Sequence, residues 1–392
     1  MTDAPSQIEH DDLIDIDFLL TPEEIALRGR VRSFVDTVVR PNIADWYDRA
    51  VFPVEIVPEM ARLGLLGMHL KGYGCPGQSA VDYGLAALEL EAGDSGLRTF
   101  VSVQGSLAMS AIYKHGSEDQ KNEWLRGMAA GTTIGCFGLT EPDSGSDPAS
   151  MKTFARRDGD DWVLTGHKRW IGLGTIAHVA IVWAQTDEGV RGFIVPTNTP
   201  GFEAKLIEQK LSMRASIQTE LILTDVRLPA TALLPNVEGL RGPFECLNEA
   251  RYGIVWGVMG AARDSYESAL EYSKTRLPFD RPLASFQLTQ QKLVDMAVEI
   301  QKGTLLALHL GRLKDAGRLQ PHQISVGKLS NTREAIAIAR EARTILGGNG
   351  ITLDYSPLRH ANNLESVRTY EGTDEVHTLV IGHHITGIPA FR

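Results

Sequence analysis

Phe137-Gly138-Leu139-Thr140-Glu141-Pro142-Asp143-Ser144-Gly145-Ser146-Asp147 reads as a strand that runs into a loop dense in glycine and small hydroxyl residues. Such a loop offers backbone N–H groups and short donors without bulk, which suits a flat heteroaromatic ring or phosphates. An ordinary polar turn has the same composition, so the stretch alone leaves both readings open. It also sits where the texture of the chain changes. Upstream, from Thr21 to about Ala130, the pattern is helical. Thr21-Pro22-Glu23-Glu24 is a helix start, with Thr as N-cap, Pro at the first position and Glu at the third. Apolar residues then recur at Ile25, Leu27, Val31, Phe34, Val35, Val38 and Val39, close to the 3.6 period. Further helices are expected over Val54–Leu63, Asp82–Ala92, Leu97–His115 and Ser117–Ala130.

Downstream, to about Asn236, short β-branched runs are divided by Gly, Pro and Asp. Strands are expected over Ile134–Leu139, Trp162–Arg169, Val179–Gln185, Gly192–Pro196 and Glu220–Val226. From Gly242 onward the chain is helical again. Leu293, Met296, Ile300, Thr304, Ala307, Leu308 and Gly311 form one apolar stripe, and Ile336, Ile338, Ala339, Ala342, Ile345 and Leu346 a second. The order α, β, α predicts an α+β multidomain chain: an N-terminal helical domain over residues 16–132, a middle β domain over 133–240 and a C-terminal helical bundle over 241–392.

The 392 residues are 43% hydrophobic, ample for buried cores, and the formal net charge of −10 argues against a nucleic-acid partner. Three widely spaced cysteines, Cys75, Cys136 and Cys246, argue against a disulfide framework or a structural zinc site. The acidic N-terminus has neither signal nor transit character, no apolar run spans a bilayer, and the reading is a soluble cytoplasmic protein with a polar leader ending near Asp15. No P-loop pattern occurs. Gly93-Asp94-Ser95-Gly96 echoes a serine-protease nucleophile but lies in helical sequence, and His377, His383 and His384 lack metal-ligand spacing.

Two more segments carry chemistry. Lys168-Arg169-Trp170-Ile171-Gly172 ends a strand with an indole that either stacks on a planar cofactor or plugs a core, the core being favoured on the segment alone. Tyr370-Glu371-Gly372-Thr373-Asp374-Glu375 puts a carboxylate in a loop before a helix that Thr373 can cap. Desolvated there, Glu371 suits a general base; on its own the segment reads more simply as a solvated loop carboxylate.

Taken together, F-G-L-T-E-P-x-S-G-S-D, K-x-W-I, L-G-G-N-G and Y-E-G-T, at these separations and over Leu20–Arg392, resemble the acyl-CoA dehydrogenase family. The resemblance implies a helical N-domain, a barrel-like middle β domain and a C-terminal four-helix bundle around FAD, within a homotetramer. It implies that Phe137, Leu139, Thr140, Gly145 and Ser146 line the flavin, Ser146 also meeting CoA, with Trp170, Ile171 and Gly172 beside the ring. Many relatives carry Thr where this chain has Gly172. Arg276, Phe279, Gln287, Gly347 and Gly348 would cradle the FAD of a neighbouring subunit, and Thr373 and Glu375 would close the site. Phe244, Asn248 and Arg251 would lie on the CoA side. Some family members carry the base just before the residue matching Arg251; here that position is Ala250, which leaves Glu371 as the base.

Substrate choice rests on Glu91 to Ser102. An arginine in an acyl-tail pocket is costly unless an anion meets it. Arg98 can grip a terminal carboxylate bidentately with Ser102 assisting, or pair structurally with Glu91 or Asp94. This segment resembles the glutaryl-CoA-oxidising group of the family, in which Glu, Arg, Ser and Tyr stand at the places of Glu91, Arg98, Ser102 and Tyr370. Thr99 and Gly372 join them as substrate-binding residues. The resemblance implies oxidation of glutaryl-CoA with decarboxylation to crotonyl-CoA, a place in lysine and tryptophan degradation, and electron-transferring flavoprotein as acceptor. The alternatives are a short-chain or other dicarboxyl-CoA dehydrogenase without decarboxylation, and a non-catalytic CoA-thioester-binding homologue.

Overall fold

The computed structural model describes residues 12–391, so the expected leader lies largely outside the described residues. In chain order the helices are α1 (Pro22–Phe34), α2 (Ile43–Asp48), α3 (Val57–Arg62), α4 (Ala80–Gly93), α5 (Ser95–Val101), α6 (Ser110–His115), α7 (Glu118–Ala129), α8 (Arg241–Thr275), α9 (Gln287–Asp315), α10 (Pro321–Ile345), α11 (Pro357–Thr369) and α12 (Asp374–Thr386). The strands are β1 (Lys71–Gly72), β2 (Cys75–Pro76), β3 (Gly135–Gly138), β4 (Phe154–Asp158), β5 (Asp161–Gly172), β6 (Val179–Thr186), β7 (Gly189–Pro196), β8 (Phe202–Leu206) and β9 (Gln218–Leu228). No described helix is long and apolar enough to cross a membrane. The chain separates into two compact units: one gathers residues up to Asp48, Ala80–Ser95 and everything from Tyr252, the other Arg49–Ser79 and Gly96–Arg251.

The first unit is helical. α1 starts as its sequence dictates: Thr21 Oγ1 accepts from the Glu24 backbone N–H, and the Glu24 carboxylate accepts from the Thr21 N–H. Its helices pack without side chains at the closest points. A Cβ at Gly260 of α8 would stand 1.8 Å from the Leu88 carbonyl oxygen of α4, and one at Gly84 would stand 2.3 Å from the Trp256 ring. Asn331 of α10 donates to the carbonyls of Val255 and Gly303, tying α8 and α9 together. Buried charges occur in sets. Glu89 accepts two bonds from Arg263, at 2.9 and 2.6 Å, and two from Arg32 at 3.2 Å. Burial raises its pKa, but the two arginines outweigh burial and hold it at about 2.

The second unit is built on a curled seven-stranded sheet ordered β3-β6-β4-β5-β9-β8, with β7 added against β6. β3 runs parallel to β6, while β5, β9 and β8 form an antiparallel run. β6 is buried on both faces, which explains its continuous apolar run Val179-Ala180-Ile181-Val182-Trp183-Ala184. Trp183 is enclosed by Phe137, Gly192 and Gly242, the last in the first turn of α8.

Two local expectations change. The helix expected over Leu97–His115 is interrupted: residues Ser102–Met109 adopt π-helical bonding between α5 and α6. Four strands lie outside the expected set: the two-residue pair β1 and β2, and β4 and β8, whose Phe154-Ala155-Arg156-Arg157-Asp158 and Phe202-Glu203-Ala204-Lys205-Leu206 are largely polar and solvent-facing.

These contacts order two glycine substitutions. Gly260→Ala forces a methyl into a carbonyl and should destabilise the protein by about 1–3 kcal/mol, as overpacking does. Gly29→Ala, where a Cβ on the solvent face of α1 meets nothing within 4 Å, should be neutral or stabilise by up to about 1 kcal/mol. Urea denaturation of both variants checks this, and equal effects would refute the packing account.

Candidate active site

In the second unit, β3 delivers the loop that follows Gly138. Lys168 of β5 is wholly buried, and its Nζ lies 2.9 Å from both the Leu139 carbonyl and the Glu141 carboxylate. Glu141 also accepts from the backbone N–H groups of Lys152, at 2.6 Å, and Thr153, at 2.9 Å. The Arg169 N–H donates to the Thr140 carbonyl at 2.9 Å. Thus Phe137, Leu139 and Thr140 are brought against the Lys168–Gly172 segment. The Glu141–Ser144 bridge closes the turn, leaving Gly145 and Ser146 exposed beyond it. Burial lowers the Lys168 pKa to about 8, only partly offset by Glu141.

Between Lys168 and Ile171 the β5–β9 register slips. Trp170 occupies the slip with φ 63°, a left-handed conformation uncommon for a bulky residue, and 55% of it is exposed. The core-plug reading of this tryptophan is therefore overturned: the bulge turns the indole out, while Ile171 is buried beside it. At Gly172 a Cβ would approach Val103 to 3.1 Å, so a larger residue at this position requires Val103 to give.

Arg98 and Thr99 lie on α5, and Ser102 opens the π segment. Arg98 is 1% exposed, and the Ser102 hydroxyl is buried without a hydrogen-bond partner among the described residues. In the α8 portion of this unit, the Arg251 guanidinium donates to Asn248 Oδ1 at 3.1 Å, and Phe244, one helical turn earlier, is exposed. Ala250 is fully buried, with no function of its own to offer.

In the first unit, Glu91 is buried on α4. The Asp94 carboxylate is engaged by Arg359 at 2.5 Å and Asn363 at 2.9 Å. Tyr370, Glu371 and Gly372 form the turn between α11 and α12. Glu371 adopts φ 55° and Gly372 φ 96°. The Thr373 hydroxyl accepts from the Val376 N–H and caps α12, as expected, with Glu375 in its first turn. Glu371 is half-buried with Oε2 out of solvent, which departs from a solvated loop carboxylate.

Arg276, Phe279, Gln287, Gly347 and Gly348 form a separate exposed group. Phe279 is 89% exposed at φ 53°, and Arg276 makes no ion pair among the described residues. Asn349 donates to the Tyr272 hydroxyl at 3.1 Å, bringing the Gly347–Gly348 turn to the end of α8 near Arg276. Sequence reading gave no role to Lys168, Glu141 or Lys328, although Lys168 and Glu141 stand inside the motifs quoted above. A lysine in an alternating strand or on a helix ordinarily signals a solvent-facing side.

The chain belongs to the acyl-CoA dehydrogenase family and has its three-domain fold: models of the N-terminal, middle and C-terminal domains match residues 21–132, 136–226 and 238–386. It is similar to a glutaryl-CoA dehydrogenase from Mycobacterium smegmatis solved in complex with FADH2, at 63% identity over 97% of this chain and 98% of that one, with a TM-score of 0.96. It is 34% identical to the human mitochondrial short-chain specific acyl-CoA dehydrogenase, over 90% of this chain and 88% of the relative. A structure of the electron transferring flavoprotein of Acidaminococcus fermentans matches at 31% identity, 94% and 98% coverage and a TM-score of 0.90.

As a family member the protein is a flavoprotein oxidoreductase whose cofactor is FAD. The residues present fit that group. An indole turned outward in a bulge suits a ring system, the Thr140–Ser146 loop supplies hydroxyls and backbone donors, and an exposed arginine near open glycine backbone suits a diphosphate.

A pH test follows from Lys168. The folded state binds its proton more weakly than the unfolded chain, where the pKa is about 10.5. Its cost to stability is therefore fully present below about pH 8 and is relieved as pH rises toward 10.5. Urea melts should show wild type gaining about 1–3 kcal/mol on Lys168→Met between pH 7.5 and 10. A pH-independent difference would mean that the ammonium titrates as in water.

Proposed function

We propose that the protein oxidises glutaryl-CoA to glutaconyl-CoA and decarboxylates it to crotonyl-CoA and CO2. The observation that carries this reading is Arg98, a guanidinium only 1% exposed, one helical turn from the buried Ser102 hydroxyl. A buried guanidinium is tolerated where it meets an anion, and its planar fork matches a carboxylate. On this reading Arg98 holds the γ-carboxylate, with Thr99, Ser102 and Glu91 completing the acyl end. The M. smegmatis relative's description as a glutaryl-CoA dehydrogenase supports the same substrate.

Glu371 takes the α-proton, and its backbone N–H bonds the thioester carbonyl, stabilising the charge that develops there. When bound, FAD supplies the acceptor for the β-hydride. After loss of CO2, Glu371 returns the proton at the far carbon. Arg251, Asn248, Phe244 and Ser146 hold the CoA side, Tyr370 and Gly372 the acyl side. Phe137, Leu139, Thr140, Gly145, Trp170, Ile171, Gly172, Thr373 and Glu375 hold the cofactor. The exposure of Arg276, Phe279, Gln287, Gly347 and Gly348 supports their reaching the cofactor of a second copy within a homotetramer. The A. fermentans match supports an electron-transferring flavoprotein as acceptor.

Anaerobic titration of the yellow protein with glutaryl-CoA should bleach the flavin, and turnover with an artificial acceptor should release CO2. Bleaching without CO2 would leave a dehydrogenase that stops at glutaconyl-CoA. Arg98→Gln should lower kcat/KM for glutaryl-CoA at least about 100-fold, as breaking a buried charge pair does. Butyryl-CoA, with no carboxylate to lose, should suffer less than about 10-fold. Equal losses would remove Arg98 from substrate recognition. Glu371→Gln should bind FAD and not bleach; normal bleaching would remove Glu371 as base.

A further inference from the structure

The turn that carries Glu371 is held in a conformation its sequence does not prefer. Glu371 has no glycine's freedom, yet it sits at φ 55°, followed by Gly372 at φ 96°. Left-handed backbone at a non-glycine residue persists only when the surroundings over-determine it. The surroundings here come mainly from α10. Lys328 is 1% exposed, and its Nζ donates to the Gly372 carbonyl at 2.6 Å. Three residues earlier on the same helix, Ser325 Oγ lies 3.0 Å from His377 Nδ1 of α12. Five residues later, Arg333 donates to Asp374 at 3.1 Å, joined there by Arg368 at 2.6 Å.

Of these contacts, Lys328 alone grips the peptide next to Glu371. The others hold α12 one or more residues further on. A charge-assisted bond to a carbonyl is short and strong, and an ammonium on a long side chain can deliver it to the turn from a neighbouring helix.

The geometry points to Lys328 as a positioning residue for Glu371: by fixing the Gly372 carbonyl it holds the left-handed turn, and so aims the base. This rests on Glu371 being the base. Lys328 touches neither substrate nor cofactor in this assignment, and it acts on the base by holding the Gly372 carbonyl.

The test uses the FAD-loaded full chain and rapid-mixing reduction by glutaryl-CoA under anaerobic conditions. Lys328→Met keeps the length and removes the donor. It should retain FAD and bind substrate within about 3-fold of wild type, yet slow bleaching at saturation by about 100-fold, as misplacement of a reacting group by about 1 Å does. The isotope effect with α-deuterated substrate should rise, since proton removal becomes the slower step. Arg333→Ala, which removes one of two arginines on Asp374, should slow bleaching by less than about 3-fold. Bleaching of Lys328→Met at the wild-type rate with an unchanged isotope effect overturns the proposal and leaves the functional reading standing. A wild-type protein that no acyl-CoA bleaches overturns the reading of Glu371, and the part of Lys328 with it. If Lys328→Met yields no folded holoprotein, Lys328→Gln, with a shorter donor, replaces it: slowed bleaching with a raised isotope effect supports the proposal, and wild-type values of both overturn it.

Discussion

A buried ammonium ion must be met by oxygen, and in each unit one such ion decides where a loop can go. Lys168 and Lys328 come from regular elements, a strand and a helix, and both spend a bond on a carbonyl in a loop. Removing an ammonium from water is expensive, so these bonds are made wherever geometry allows. The loops are thereby fixed from a rigid element rather than by their own propensities. Near each anchor lies a residue in left-handed backbone: Trp170 two positions along the strand from Lys168, and Glu371 beside the carbonyl that Lys328 holds. Neither residue type favours that conformation, and each is exposed or half-exposed where chemistry is expected.

The helical core of the first unit applies the same logic to carboxylates. Glu89, Asp94 and Asp264 are buried, and each is met by cations or hydrogen-bond donors from other helices: Glu89 by Arg32 and Arg263, Asp94 by Arg359 and Asn363, Asp264 by Arg40 and His360. Such pairs set register more than they add stability, because desolvation offsets most of the attraction. The closest approaches of backbone, at Gly260 and Gly84, supply the dispersion contacts that register then makes specific.

Much of this was legible in the chain. The Thr21 capping box and the Thr373 cap are written in residue type and spacing, and the structure has both. The β-branched runs marked the buried strands β3, β5, β6, β7 and β9. The half-exposed β4 and β8 escaped, since their alternation is carried by alanine and charged residues rather than by large apolar ones. Family and cofactor were legible through the wording of motifs, not through periodicity. Trp170 illustrates the limit: an indole in a strand is ordinarily core, and only the register slip against β9, a tertiary feature, turns it outward. Lys168 and Lys328 illustrate another, for burial of a lysine depends on acceptors brought from distant sequence.

The π-helical run from Ser102 to Met109 carries a further consequence. A π segment closes its turn over about one more residue than an α-helix does, so it can take up an extra residue in place. Deleting a single residue from this run would let α geometry return with α5 and α6 kept near their present phase, whereas the same deletion in a straight α-helix would turn one half by about 100° against the other. The run is thus a place where chain length can change by one residue while the faces that α5 and α6 present are kept.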